Sequence, residues 1–313
     1  MFLAGGQRRV VIIKKLSHIL LIFICRLRIT WRWKKGSHKS GNPMKRRTVG
    51  LLAFLSSLVL IIVFMIDYNT PSPTQADIAI YAGRGTWDDS VQAIRNMLEW
   101  MNCTVETLDA QHINNIGLSA FRVLCVPGGN MYDYAQDITL RGKENIRDFV
   151  HNGGGYIGIC GGAYFASEEV YWRGSQLSMT PLSLFPGRAA GPIDEIMAYP
   201  NYTMTRVNVL NQAHPIITSE RDAESMLYYW GPALTPNANA NITILGNYDI
   251  SNQAAMLALE YGHGKVFLIG THPEIEEDSD RDEVSFGDEF DDHGSEWNFM
   301  QKVILWCTEE ENP

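Results

Sequence analysis

The chain has 313 residues, 45% of them hydrophobic, with 26 Lys or Arg, 35 Asp or Glu and a formal net charge of −9. The charge is divided unevenly. Residues 1–47 carry 13 basic and no acidic side chains, and residues 48–313 hold the other 13 basic and all 35 acidic ones, a net of −22. An acidic body of that kind repels polyanions, which excludes nucleic acid as a partner.

In chain order, residues 1–48 form a basic N-terminal segment. Within it Leu16–Cys25 (LSHILLIFIC) is apolar but too short to span a bilayer, and fits a segment lying on the membrane surface. Met44 is the expected true start of translation, with residues 1–43 ahead of it an artefact. Residues 49–66 (VGLLAFLSSLVLIIVFMI) carry no charge and are long enough for one transmembrane helix. Lys45, Arg46 and Arg47 precede it and Asp67 follows, so the N-terminus is expected inside and the acidic domain outside the cytoplasm. No A-x-A-like site follows the apolar run, which favours an anchor over a cleaved signal. Residues 67–76 read as a polar, proline-bearing linker.

From residue 77 the pattern is an α/β one. Asp77–Tyr81 reads as a strand. Asp88–Met101 has helical apolar spacing at Val91, Ile94, Met97, Leu98 and Met101, with Asp88, Asp89 and Ser90 as candidate caps. Phe121–Val126 is a buried-type strand stopped by Pro127-Gly128-Gly129; Lys143–Val150 is a helix and Gly155–Ile159 the next strand. This alternation predicts a mostly parallel sheet with helices on both faces. Residues 170–250 are less regular, with strands at Thr203–Leu210 and Ile242–Tyr248. Met256–Leu259 and Lys265–Gly270 form a closing hairpin around Tyr261-Gly-His-Gly, and Glu296–Trp306 is an amphipathic helix that packs back on the sheet.

Gly158-Ile-Cys160-Gly-Gly162 follows a strand and precedes a helix, the form of a nucleophile elbow. The tight turn puts the nucleophile in a strained backbone conformation, the flanking glycines relieve the crowding, and the helix N-terminus supplies backbone donors and lowers the thiol pKa. The bland alternative is a buried cysteine in a glycine-rich turn. A thiolate needs a base and a group to orient it. Among the domain histidines His272, just after the Lys265–Gly270 strand, has a carboxylate two residues on, Glu274. Gly129 beside Gly161 offers a second inward N–H. No C-x-x-C pair occurs, so zinc has no ligand pattern; Cys103, Cys125, Cys160 and Cys307 leave any disulfide pairing open. The acidic run Glu274–Asp292 alternates Asp278, Asp280 and Asp282, but Glu283 stands where an EF-hand needs glycine. It is read as a solvated loop at the site mouth.

IYAGRGT, CVPGGNMYDY, NGGGYIGICGGAYFAS, LSLFPGRAAGP and GHGKVFLIGTHPE, in this order through Asp77–Ile275, resemble the class I glutamine amidotransferase-like superfamily. Nearest is the glutaminase-like module at the N-terminus of biotin–protein ligases. The resemblance implies a flavodoxin-like three-layer sandwich over residues 77–313 and no cofactor or metal. It places a Cys-His-Glu triad on Cys160, His272 and Glu274, with oxyanion donors at Gly129 and Gly161. Arg84 and Tyr132, next to these motifs, are candidate substrate contacts. The implied activity is amide hydrolysis on a small carboxamide. The alternative is a non-catalytic ligand-binding or scaffold module on the same fold, its protein partner open. A peptidase of the superfamily is disfavoured, since AGRGTWDD lacks the glutamate that branch places after its first strand.

Overall fold

Strand β1 (Ile78–Tyr81) sends Ile78 and Ile80 to one face of its sheet and Ala79 and Tyr81 to the other, and all four are buried. The same holds for β3 (Val123–Val126) and β4 (Gly155–Ile159). Their continuous apolar character follows from being covered on both sides. This computed structural model describes residues 78–211, 213–217, 221–277, 279–290 and 294–309. The basic segment, the apolar run at 49–66 and the linker lie outside them. Among the described residues no helix is long and apolar enough to cross a membrane.

Helix α1 (Asp88–Trp100) follows β1. Then come β2 (Val105–Leu108), α2 (Ala110–Asn115), β3, α3 (Met131–Asp137), α4 (Leu140–His151), β4 and α5 (Gly161–Ala166). A run of strands comes next: β5 (Ser167–Trp172), β6 (Ser175–Gln176), β7 (Phe185–Gly191), β8 (Thr203–Val209), β9 (Ala223–Tyr228), β10 (Ala233–Pro236), β11 (Thr243–Tyr248), β12 (Ala254–Tyr261) and β13 (Gly264–Ile269). Helix α6 (Trp297–Thr308) closes the chain. Helices α1 and α6 pack on one face with Ile80, Ile157 and Phe267, while α2 to α5 pack on the other with Tyr81, Leu124 and Leu268. Three layers result, as expected.

The sheet is mixed, which corrects the mostly parallel expectation. β2-β1-β3-β4-β13 are parallel neighbours in the flavodoxin-like order. Beyond them β12 is antiparallel to β13, because a turn at Gly262 and His263 is too short for a parallel crossover. β8 to β12 continue antiparallel; β5 and β7 alone on that side run parallel.

Two further expectations are corrected. The N-cap of α1 is Trp87, without a side-chain cap bond. Asp88 and Asp89 lie in the first turn, where their charge suits the helix dipole, and Ser90 is turned into the core. The acidic run is not simply a solvated loop: Glu276, Glu277 and Asp282 are buried. Asp282 accepts the N–H groups of Glu276 (2.9 Å) and Val284 (3.1 Å), and burial pushes its carboxyl up to about 6 against those bonds. Glu276 binds Arg281 and the Ser295 hydroxyl, and Asn96 of α1 donates to the Asp282 carbonyl at 2.7 Å. The run is a strap packed against α1, beside Glu274. Among the described residues no group of side chains is arranged to hold a metal ion; Asp278 falls outside them.

Candidate active site

β4 lies between β3 and β13, so the loops leaving their C-terminal ends meet. Cys160 follows β4, Pro127-Gly128-Gly129 follows β3, and Thr271-His272 follows β13. An open α/β sheet gathers its site at this edge, where the strand order reverses between β1 and β3. Cys160 has φ 47° and ψ −99°, a left-handed region that a side-chain-bearing residue occupies at a cost of about 1–3 kcal/mol. The turn is held by its N–H donating to the Ile269 carbonyl at 2.9 Å and its carbonyl accepting from Tyr164 N–H at 3.0 Å. The thiol is buried, and Sγ donates to the Tyr229 carbonyl at 3.5 Å.

His272 and Glu274 are both buried, with Nδ1 of the imidazole 2.8 Å from Glu274 Oε1. The His272 N–H donates to the Leu227 carbonyl at 2.9 Å, which fixes the backbone beneath the ring. Nε2 is buried and makes no hydrogen bond of normal geometry; its electrostatic neighbour is the Cys160 sulfur. Burial pushes the imidazole pKa down, but the charges of Glu274 and Cys160 push it up by more, and it stands at about 10. Two further donors hold Glu274: Ser90 Oγ donates to its Oε1 at 2.6 Å while accepting from Gly128 N–H at 3.1 Å, and the Trp297 indole N–H donates to its backbone carbonyl at 3.0 Å.

The backbones of Gly129 and Gly161 touch: a Cβ on Gly161 would lie 2.5 Å from Gly129 O and 2.7 Å from Gly129 N. Gly161 opens α5, so its N–H has no acceptor within the helix. Trp87 N–H donates to the Gly128 carbonyl and Asn130 N–H to the Gly85 carbonyl; this bridge flanks Gly129 and leaves its own N–H unused. Gly128 is equally constrained, since a Cβ there would come within 2.5 Å of His272 Cε1. Gly128→Ala therefore displaces the ring from Cys160. The expected result is a thiol that loses its alkylation advantage and a domain weakened by about 1–3 kcal/mol, read by thermal melting alongside labelling kinetics.

Cys160, His272, Gly129 and Tyr132 line one cavity of about 510 Å³. Gly161 borders it through its contact with Gly129, and Glu274 stands behind the imidazole. Arg84 is not brought to the cavity: it is half exposed and paired with Asp133 and Asp137 of α3. Cys125 and Cys307 are unbridged and buried, and burial pushes both thiols well up. Sequence reasoning missed Ser90, taken for a cap, and the aromatic wall of Trp87, Tyr164, Trp172, Tyr199, Tyr229 and Trp230. The run Tyr228-Tyr229-Trp230 before Gly231-Pro232 was the available signal for the wall, and nothing local marked Ser90.

The fold defines the class as an α/β domain built on a flavodoxin-like parallel half-sheet. More narrowly, the profile of the family described as "Biotin-protein ligase, N terminal" matches residues 76–302, and the chain belongs to that family. It is 30% identical over 165 residues to the biotin–protein ligase of Schizosaccharomyces pombe, covering 49% of this chain and 25% of the ligase. An uncharacterized protein of Chlamydia muridarum is 28% identical over 162 residues, 49% of this chain and 60% of that protein. The chain thus spans less than two thirds of either relative. Among solved structures, a glutamine amidotransferase of Thermotoga maritima superposes with a TM-score of 0.46 at 10% identity, covering 75% of this chain and 99% of that one.

Proposed function

We propose that this protein is a Cys-His-Glu amidohydrolase acting on a small carboxamide. Cys160 is the nucleophile, His272 the acid–base and Glu274 its orienting partner, with the N–H groups of Gly129 and Gly161 receiving the oxyanion. One observation carries the reading. A buried imidazole, tied to a buried carboxylate at 2.8 Å and with no hydrogen bond of normal geometry at its other nitrogen, lines the same cavity as a thiol on a left-handed turn. In the reacting pair the thiol proton has moved from Sγ to His272. The thiolate attacks the amide carbon, a C–S bond forms, and negative charge moves to the carbonyl oxygen. As the C–N bond breaks, the imidazolium gives its proton to the leaving nitrogen and ammonia departs. The imidazole next deprotonates a water, which attacks the thioester carbon; the C–S bond breaks and the carboxylic acid leaves with the thiolate–imidazolium pair restored.

A second reading, a ligand-binding or scaffold module on the same fold, is favoured by one contact. Cys160 Sγ points its proton at the Tyr229 carbonyl, not at an imidazole nitrogen. Ammonia release from a panel of carboxamides separates the two. The enzyme reading expects turnover that disappears in Cys160→Ala, and no Cys160-dependent release from any amide would leave the binding module standing.

The setting proposed for the domain is a membrane surface. The uncharged run at 49–66, the basic residues before it and the acidic body after it support a single-pass anchor with the domain outside the cytoplasm. The ligase chemistry of the fission yeast relative is not part of the proposal, since this chain matches 25% of that protein.

A further inference from the structure

We infer that the substrate of the Cys160 site is an amide whose acyl part is uncharged and carries an aromatic or branched apolar group, and that free glutamine is not recognised. The inference rests on the amidohydrolase reading of Cys160 and adds to it the chemistry of what is bound.

The cavity, at about 510 Å³, is within the range of small-ligand sites. Among the described residues that line it, no side chain outside the proposed Cys160–His272 pair carries a formal charge. The charged groups close by are already engaged. Arg84 is paired with Asp133 and Asp137, Asp89 accepts the Trp87 indole N–H at 3.2 Å, and the Arg173 guanidinium lies on the Tyr199 ring, 5.0 Å from its centroid. The α-ammonium and α-carboxylate of glutamine each need an opposite charge or several donors when taken out of water. Outside the proposed catalytic pair, this wall offers no opposite charge to either.

What it does offer is ring surface. Trp230 stands 4.6 Å from Tyr199, 4.2 Å from Tyr229 and 6.5 Å from Trp172, centroid to centroid. Two polar tips in the wall are used within the protein: Trp230 Nε1 donates to the Asn201 carbonyl and Tyr164 Oη to the Trp230 carbonyl, both at 3.0 Å. An aromatic or branched side chain would find edge-to-face neighbours among these rings.

A second observation is independent of the cavity lining. Trp230 has φ 63°, a conformation a bulky residue holds only where the surroundings enforce it. The next residue is packed tightly, since a Cβ on Gly231 would lie 1.6 Å from the Gly270 carbonyl oxygen, beside β13 and one residue before Thr271. The chain thus holds a tryptophan in a costly backbone state beside the nucleophile. A residue needed only for core packing does not require that placement.

The test uses two chloromethyl ketones, one bearing a phenylethyl group and the other the α-amino-carboxylate end of glutamine. In each the thiolate displaces chloride and leaves a stable thioether, read on Cys160 by mass spectrometry and expressed relative to iodoacetamide labelling of the same variant. We expect the phenylethyl ketone to label Cys160 at least about tenfold faster than the glutamine-like one. The gap should shrink about tenfold in Trp230→Ala and in Tyr199→Ala, the latter at a half-exposed site where misfolding is not an issue. Faster labelling by the glutamine-like ketone overturns the inference and leaves the amidohydrolase reading intact, as do equal rates unaffected by either substitution. If neither ketone nor iodoacetamide labels Cys160 faster than Cys307, the amidohydrolase reading falls and takes the inference with it.

Discussion

Glu274→Ala is expected to lower the stability of the domain by roughly 3–5 kcal/mol, the cost of leaving a buried charge without its partner. In a domain of this size that amounts to a fall in melting temperature on the order of 10 °C. The physical cause is local. Oε1, 2.8 Å from Nδ1, holds the pKa of the fully buried imidazole up, and its removal also takes away the acceptor of Ser90. Glu274→Gln keeps the shape and a hydrogen bond but removes the charge. It should melt closer to the wild type, yet slow Cys160 alkylation by about two to four orders of magnitude, the usual contribution of a positioned acid–base group. Full reactivity in the glutamine variant would show that the carboxylate serves packing and not the thiol.

The second large effect concerns pH. The His272 pKa stands near 10 in the folded protein against an ordinary 6.5. The folded state therefore holds this proton more tightly than the unfolded chain does. The resulting stabilisation is complete below pH 6.5 and is lost as pH rises toward about 10, on the order of a few kcal/mol. Melting temperatures of the wild type should fall across that window. His272→Gln should flatten this part of the profile while abolishing Cys160-dependent turnover. A wild-type profile that rises from pH 6.5 to 10, or one unchanged by the substitution, would contradict a charged imidazole at this site.

The parallel half of the sheet was legible because its strands are buried on both faces. Ile78–Tyr81, Val123–Val126 and Gly155–Ile159 have no polar side that could disguise them. His272 and Glu274 were legible for a related reason: a strand as apolar as Lys265–Gly270 fixes where its C-terminal end is, and the two residues sit directly after it. The antiparallel half was harder to read. β7 has the sequence FPGRAAG, in which Pro186 and Gly187 argue against a strand, and they fall where the ladder with β5 loses its regular register. Ser90 looked like a helix cap because serine in a first turn commonly is one, and only a partner 184 residues away, Glu274, reveals its use. The acidic run misled for the same reason. Which carboxylates are buried depends on long-range partners, and Asp282 finds them in the backbone of Glu276 and Val284.

The measurement that bears most directly on the thiol–imidazole pair is the pH dependence of iodoacetamide labelling at each cysteine of the intact protein. Cys160 is expected to react well below pH 8 and far faster than Cys125 and Cys307, whose thiols burial keeps protonated. Labelling of Cys160 that begins only at the pH of an ordinary thiol, at the same rate in His272→Gln, would contradict the pairing on which the proposed chemistry depends.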